Sequence, residues 1–303
     1  MSSVAIRGTG GVKHIRRSAG ERAASAIIHV VMILFSASCV IPLLLTLVVS
    51  FSSESSVIRY GFQFIPKQWS TLSYQMIFAD SQIFRAYGVT IFITVIGTVC
   101  AVVLVGMAAY SMSLAKVKYR NRFAMFFYIP MVFNAGLVPW YMICTKVLHF
   151  QNQLYGLIAL GLISPFNIFL MRNFFKTIPE SLSESAQIDG AGAMRTFLQI
   201  VLPLSGPIIA TVALFVSLSY WNNYTNALWF ITNRSLYPLQ YFLYRIKQMM
   251  DFIQQNGLTS AIQMPTQTFQ IAMLFVTIGP IVLAYPFAQR FFIKGILIGA
   301  VKG

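Results

Sequence analysis

Glu184-Ser185-Ala186-Gln187-Ile188-Asp189-Gly190-Ala191, followed by Ile200-Val201-Leu202-Pro203, is the stretch on which the reading of this chain turns. It holds two acids, and Arg195 adds one base, in a chain that is 57% hydrophobic and only 10% charged. Soluble domains carry roughly 25% charged residues, so this composition suits lipid. The stretch is a polar island between apolar runs.

Six charge-free gaps surround it: 23–53, 86–115, 123–145, 147–171, 196–233 and 252–289. Each exceeds the roughly 20 residues a helix needs to cross the hydrocarbon core. In lipid the backbone must satisfy its hydrogen bonds within each segment. The expected fold is therefore all-α, a polytopic membrane protein of six transmembrane helices. Residues 23–53 follow a basic N-terminus but are too long for the apolar region of a cleaved signal, so they are expected as a retained first helix. That leaves 1–22 as a tail and 23–303 as the six-helix domain, with an inner loop at 180–203 and an outer loop at 232–266.

The net charge of +15 invites a nucleic-acid reading, but its placement argues against one. With the N-terminus inside and six spans threaded, fifteen of the 22 Lys and Arg fall in inner segments. The outer seven are Arg59, Lys67, Arg85, Lys146, Arg234, Arg245 and Lys247. This asymmetry follows the positive-inside rule and predicts both termini in the cytoplasm. Cys39, Cys100 and Cys144 form no C-x-x-C or Cys/His pattern, and His14, His29 and His149 have no partners at ligand spacing. No metal site follows, and no G-x-x-x-x-G-K-[ST] occurs to hold nucleotide phosphates.

Gly97, Gly106, Ala108 and Ala109 mark the second span as a packing helix, because small residues let helices approach closely in lipid. Pro130, Gly136 and Pro139 predict that the third span is kinked or unwound. Either it lies beside a wet pathway or a neighbouring helix satisfies the kink. In the inner segment Pro179 excludes a regular helix interior, while Ser181 or Ser183 can cap a short helix from about Ser183 to Asp189. A turn follows at Gly190-Ala191-Gly192.

From residue 20 to the end the chain resembles the inner-membrane permeases of binding-protein-dependent ATP-binding cassette (ABC) sugar importers. Within these it is similar to the LplC/YtcP-like branch, which serves oligosaccharides and polysaccharide fragments, and to maltose- and alginate-type permeases. The resemblance is carried by Glu184 through Ala191 with Pro203, which looks like the family's EAA loop, with Ser185 where the pattern has Ala after Glu. It is also carried by Ser18–Arg22, by Asn134–Tyr141, by Tyr220-Trp221-Asn222-Asn223-Tyr224-Thr225-Asn226-Ala227, and by Phe292–Gly295 with Gly299–Gly303.

The resemblance implies a type I (MetI-like) permease fold in a bacterial inner membrane. It also implies a second, related permease subunit, two ATPase subunits and an extracytoplasmic solute-binding protein as partners. This chain would hold no cofactor, ATP and Mg being bound by the ATPase subunits, and would catalyse nothing itself. By the same resemblance Glu184, Ser185, Ala186, Asp189, Gly190, Ala191 and Pro203 dock onto the ATPase, Gly299, Lys302 and Gly303 approach it from the C-terminus, and the 232–266 loop meets the binding protein. An ordinary interfacial loop remains the alternative for 184–191, and a frayed end for the tail.

A sugar path calls for amide and aromatic partners. Tyr220, Trp221, Asn222, Asn223, Tyr224 and Asn226 supply them in an otherwise apolar span. Interhelical hydrogen bonds, or an aromatic belt with Trp229, would use the same residues. An ion-coupled secondary sugar carrier is the competing class. Such carriers place ionisable groups near the midplane, and the six gaps contain no Asp, Glu, Lys or Arg.

Overall fold

The computed structural model describes residues 19–256 and 265–300. The expected tail up to residue 18, most of the outer-loop tip, and Lys302 and Gly303 lie outside them. The described residues form fifteen α-helices and no strand beyond an isolated bridge between Ser52 and Trp69. In chain order these are α1 (Ala19–Ser50), α2 (Glu54–Tyr60), α3 (Leu72–Ala79), α4 (Gln82–Ser113), α5 (Arg120–Val132) and α6 (Leu137–Met142). There follow α7 (Leu154–Ala159), α8 (Pro165–Phe175), α9 (Glu180–Ile188), α10 (Ala193–Thr196), α11 (Leu202–Leu204) and α12 (Gly206–Asn222). The last are α13 (Thr225–Phe230), α14 (Leu239–Gln255) and α15 (Gln267–Ala300).

Packing is organised by α4. Its buried residues Ala86, Thr90, Ile93, Gly97, Ala101, Val105 and Ala109 recur every three or four positions, one helical face of mostly small side chains. That face meets a matching stripe on α12, Ile208, Val212, Val216 and Tyr220, in the main core. Tyr220 is the wedge of this contact. A β-carbon on Gly97 would lie 2.5 Å from its ring, and one on Gly161 would lie 2.6 Å away. The ring therefore fits only because both positions are glycine. Its hydroxyl donates to the Ile158 carbonyl at 2.6 Å, so the phenol is satisfied as well as packed.

α1 and α4 are each long and apolar enough to cross a membrane unbroken. Two further helix pairs are long and apolar enough only when taken together, and both are sharply bent. α5 meets α6 and its following π-turn at 114°, and α10–α11 meets α12 at 87°. The first break falls at Gly136, whose φ of +86° suits glycine, and Asn134 Oδ1 accepts the Gly136 N–H at 2.9 Å. The expected kink of span three is thus present, although Pro130 sits inside α5 without ending it. No residue of α5 or α6 is buried.

Several expected boundaries are corrected. The gap 147–171 is not one helix: α7 ends at Ala159 and α8 begins at Pro165, with Ser164 accepting the Asn167 N–H as its cap. Pro165 at the first helical position and the Tyr220 ring against Gly161 account for the break. The gap 252–289 is also divided. Its first residues complete the amphipathic α14, and the apolar span starts only at Gln267. α15 then continues to Ala300, beyond the expected end near Arg290.

The two ends of α4 define two layers. At its N-terminal end α3, α14 and the start of α15 gather around a second core of Ile77, Ile83, Leu239, Phe242 and Phe269, and α2 packs on α15. Glu54 ties this layer together: its carboxylate accepts from the N–H groups of Gln267 and Thr268, both at 2.9 Å, and from the Thr268 hydroxyl at 2.8 Å. A carboxylate on free N–H groups at a helix start is favourable in charge and geometry. The Asp80–Arg234 ion pair adds to the same layer. At the other end of α4 lie α8's C-terminus, α9 and α10.

Candidate functional site

α9 begins at Glu180, earlier than the expected Ser183, with Pro179 rather than a serine side chain at its cap. Pro179 is tolerated there because a helix start leaves its N–H groups unpaired in any case. Glu180 in the first turn complements the helix dipole. The exit of α9 is a Schellman turn. Gly190 N–H donates to the Gln187 carbonyl at 3.0 Å and Ala191 N–H to the Ala186 carbonyl at 2.8 Å. Gly190 has φ +80° and open space around its α-carbon, so backbone conformation rather than crowding selects glycine. Ala186 is buried, while Glu184, Ser185, Asp189 and Pro203 are exposed.

The turn leaves Ile188 86% exposed at the tip of the helix. Sequence reasoning passed over Ile188; its signal was an apolar residue between Gln187 and Asp189 in a polar loop. Leu182 and Met194 are exposed nearby. Beneath α9 lies a cleft of ≈ 260 Å³ whose lining includes Tyr110, Lys116, Lys176, Glu180, Ser183 and Glu184. Its floor is aromatic: Tyr110 stacks on Phe197 at 5.2 Å between centroids, and Phe175 packs edge-on to both rings. Arg172 Nε donates to the Met112 carbonyl at 3.1 Å, fastening α8 to the end of α4. α9 therefore projects from the structure over a firm base formed by α4, α8 and the segment leading into α12.

The second candidate region divides. Tyr220 and Trp221 are buried, and their polar tips are taken by the carbonyls of Ile158 and Thr277. For these two the interhelical alternative describes the geometry, although Tyr220, with Asn223 and Asn226, also lines a small cavity bordered by Thr90, Ile93, Leu157 and Pro238. Asn223 Oδ1 accepts the Asn226 N–H at 3.0 Å, so Asn223 serves the local turn between α12 and α13. Asn222 and Tyr224 are exposed. Their partners come from α14, which the sequence reading did not single out: Gln240 Nε2 donates to Asn222 Oδ1 at 3.2 Å, and Tyr244 stacks on Tyr224 at 4.9 Å. Gln248 Nε2 in turn donates to the Tyr244 hydroxyl at 2.6 Å. The spacing 240, 244, 248 on an amphipathic helix was the available signal. Nearby, burial raises the pKa of the Tyr241 phenol above its usual value, with Tyr237 adding to the shift and Arg245 opposing it.

Gly299 lies in the last turn of α15; Lys302 and Gly303 fall outside the described residues. Among the described residues no group of His, Cys, Asp or Glu has metal-binding proximity.

Comparison with known proteins gives a consistent result. Residues 107–297 match the family described as "Binding-protein-dependent transport system inner membrane component". The chain is 34% identical to the polygalacturonan/rhamnogalacturonan transport system permease protein YtcP of Bacillus subtilis (strain 168), over 91% of this chain and 97% of that one. It is 36% identical to the protein LplC of the same organism, over 87% of this chain and 90% of that one. A crystal structure of a bacterial ABC transporter involved in import of the acidic polysaccharide alginate contains a chain that superposes with a TM-score of 0.77. That chain is 27% identical, and the match covers 91% of this chain and 99% of it. With its bent spans, protruding α9 and family match over most of its length, this chain belongs to the inner-membrane components of binding-protein-dependent transport systems, the permease subunits of ABC importers.

Proposed function

We propose that this chain is one of two permease subunits through which an oligosaccharide or polysaccharide fragment enters the cell, driven by ATP hydrolysis in partner subunits. In this reading α9 and residues 184–203 face the cytoplasm and dock onto the ATPase pair, which binds ATP and Mg. The α14 layer faces the solute-binding protein, both termini are cytoplasmic, and the second permease is a related chain. The observation that carries the reading is the form of α9: a short helix, closed by a glycine turn, presenting an 86% exposed Ile188 from an otherwise anchored surface. An exposed large apolar side chain rimmed by Glu184 and Asp189 suits a protein cleft. Those carboxylates can form charge-assisted bonds to basic groups of that cleft.

The substrate class rests on the printed functions of the relatives and on the amide and aromatic groups at the α12–α14 junction. A positive-inside charge distribution supports the orientation. Replacement of Ile188 by Lys tests the coupling role in the complete complex reconstituted in liposomes. The expected result is a membrane-inserted permease with at least a tenfold loss of ATP-driven sugar uptake, because a charge now occupies an apolar contact worth roughly 1.5–3 kcal/mol. Uptake at the level of the unmodified chain would remove α9 from the coupling path.

A further inference from the structure

α15 carries Gly279-Pro280 inside its helical run. Proline has no N–H, and its ring crowds the carbonyl four residues before it. The Val276 carbonyl therefore has no helical partner, at a buried residue where an unpaired oxygen is costly. Side chains of two other helices take the place of that N–H. The Tyr87 hydroxyl, from α4, donates to the Val276 carbonyl at 2.5 Å. Trp221 Nε1, from α12, donates to the next carbonyl, that of Thr277, at 3.2 Å.

Gly279 adds to the weakness of this step. A β-carbon there would meet nothing within 4 Å, so crowding does not select glycine. Without that carbon the residue before proline stays helical more easily. Glycine and proline have the two lowest helix propensities, and here they stand in succession. The Thr277 hydroxyl donates back to the Met273 carbonyl at 2.9 Å, a bond of the kind that bends helices.

The two sides of the step are anchored differently. Before it, Phe269, Ala272, Met273 and Val276 are buried in the second core. Glu54 caps the helix start, and the Ser73 and Thr268 hydroxyls share a buried hydrogen bond at 3.0 Å. Just after it, Val282 and Leu283 are exposed. A helix held on one side of a weak step and less covered on the other has the form of a hinge.

We propose that Gly279-Pro280 is a hinge of the transport cycle, with Tyr87 and Trp221 as its positioning residues. They hold the two carbonyls in place while the part of α15 beyond Pro280 swings. Tyr87 stands in for the N–H that proline lacks, so the helix stays broken here without a bare oxygen in the core. The donors belong to α4 and α12, the pair packed around the Tyr220 ring, so movement of that pair reaches α15 at this step. The proposal rests on membership of the importer permeases and is independent of which sugar is carried.

Two measurements on the complete importer in lipid nanodiscs, both permeases with their ATPase pair, test it. The first is a double-mutant cycle read by thermal unfolding of the permease. Tyr87→Phe removes only the hydroxyl and is expected to lower the unfolding temperature by about 2–6 °C. In Pro280→Ala the helix regains its N–H and pairs Val276 internally, so there Tyr87→Phe is expected to cost less than about 1 °C. The second is the distance between spin labels at two exposed positions, Val103→Cys in α4 and Leu283→Cys in α15, with the native cysteines replaced by Ser. Between the nucleotide-free and ATP–vanadate states it is expected to shift by at least about 2 Å, and in Pro280→Ala by less than about 1 Å. Inhibition of hydrolysis by vanadate shows that the ATPase pair has closed, so an unmoved label counts against the hinge and not against assembly.

An equal effect of Tyr87→Phe with and without Pro280, or no effect in either, overturns the positioning role. A shift that Pro280→Ala leaves intact, or none in the unmodified chain, overturns the hinge. Should Pro280→Ala fail to assemble, Tyr87→Phe alone is expected to broaden the label distances in the nucleotide-free state, and an unaltered distribution would overturn the proposal.

Discussion

Gly190 and Gly97 are both glycine, for opposite reasons. At Gly190 space is free and the backbone is demanding, with φ +80°; at Gly97 the backbone is an ordinary helix and the Tyr220 ring leaves no room. Gly190→Ala therefore costs backbone strain alone, roughly 1–2 kcal/mol, concentrated in the α9 exit. It should leave insertion and thermal stability close to normal while lowering the sugar imported per ATP hydrolysed. Parallel uptake and phosphate-release assays check this; unchanged stoichiometry would show that the turn bears no load. Gly97→Ala should instead lower the unfolding temperature of the detergent-solubilised chain, by overpacking worth about 1–3 kcal/mol. Combined with Tyr220→Ala it should cost less than the sum of the two single losses, since residues in contact are not additive. Strictly additive losses would place the wedge elsewhere.

Helices differ in how far their sequences announce them. α4 was legible because its small residues recur on one face, and the α9 loop because acids and glycine interrupt an apolar chain. The break between α7 and α8 was hidden: Ser164-Pro165 is a helix start, but it lies in a gap whose hydropathy is continuous. α14 was missed as an element because its polar face was read as a loop. Its apolar face has meaning only against Ile77, Ile83 and Phe269, residues distant in sequence. Within the candidate pathway, residue type alone did not separate the buried Tyr220 and Trp221 from the exposed Asn222 and Tyr224, because the separation depends on which neighbour offers a carbonyl. The Glu54 cap on α15 is a further long-range feature, joining residues more than 200 positions apart. Glu54→Ala should cost about 0.5–2 kcal/mol, in the range of a lost helix cap. It should do so by loosening α15 from α2, seen as faster amide hydrogen exchange at the N–H groups of Gln267 and Thr268. Exchange unchanged there would mean that the cap is redundant.

On the scale of the whole molecule, α4 runs between two working ends. One gathers α2, α3, α14 and the start of α15; the other projects α9 over the Tyr110–Phe175–Phe197 cluster. An importer needs this separation, because solute arrives on one side of the membrane and ATP is hydrolysed on the other. Coupling between the ends requires an element that both bias. In the proposed account the packed contacts from α9 through the aromatic cluster to α4, and by α10–α11 to the 87° bend at Ser205, are the connection that would carry it. At that bend the Ser205 hydroxyl is buried, with no hydrogen-bond partner among the described residues.

The central claim is that α9 is the cytoplasmic contact with the ATPase, and site-specific thiol protection addresses it directly. In a chain whose Cys39, Cys100 and Cys144 are replaced by Ser, Ile188→Cys is exposed to a membrane-impermeant maleimide in inside-out vesicles stripped of ATPase subunits. The account predicts rapid labelling there, none in right-side-out vesicles, and protection when the ATPase subunits are added back. Labelling from the outside, or labelling that the ATPase leaves unchanged, would contradict it.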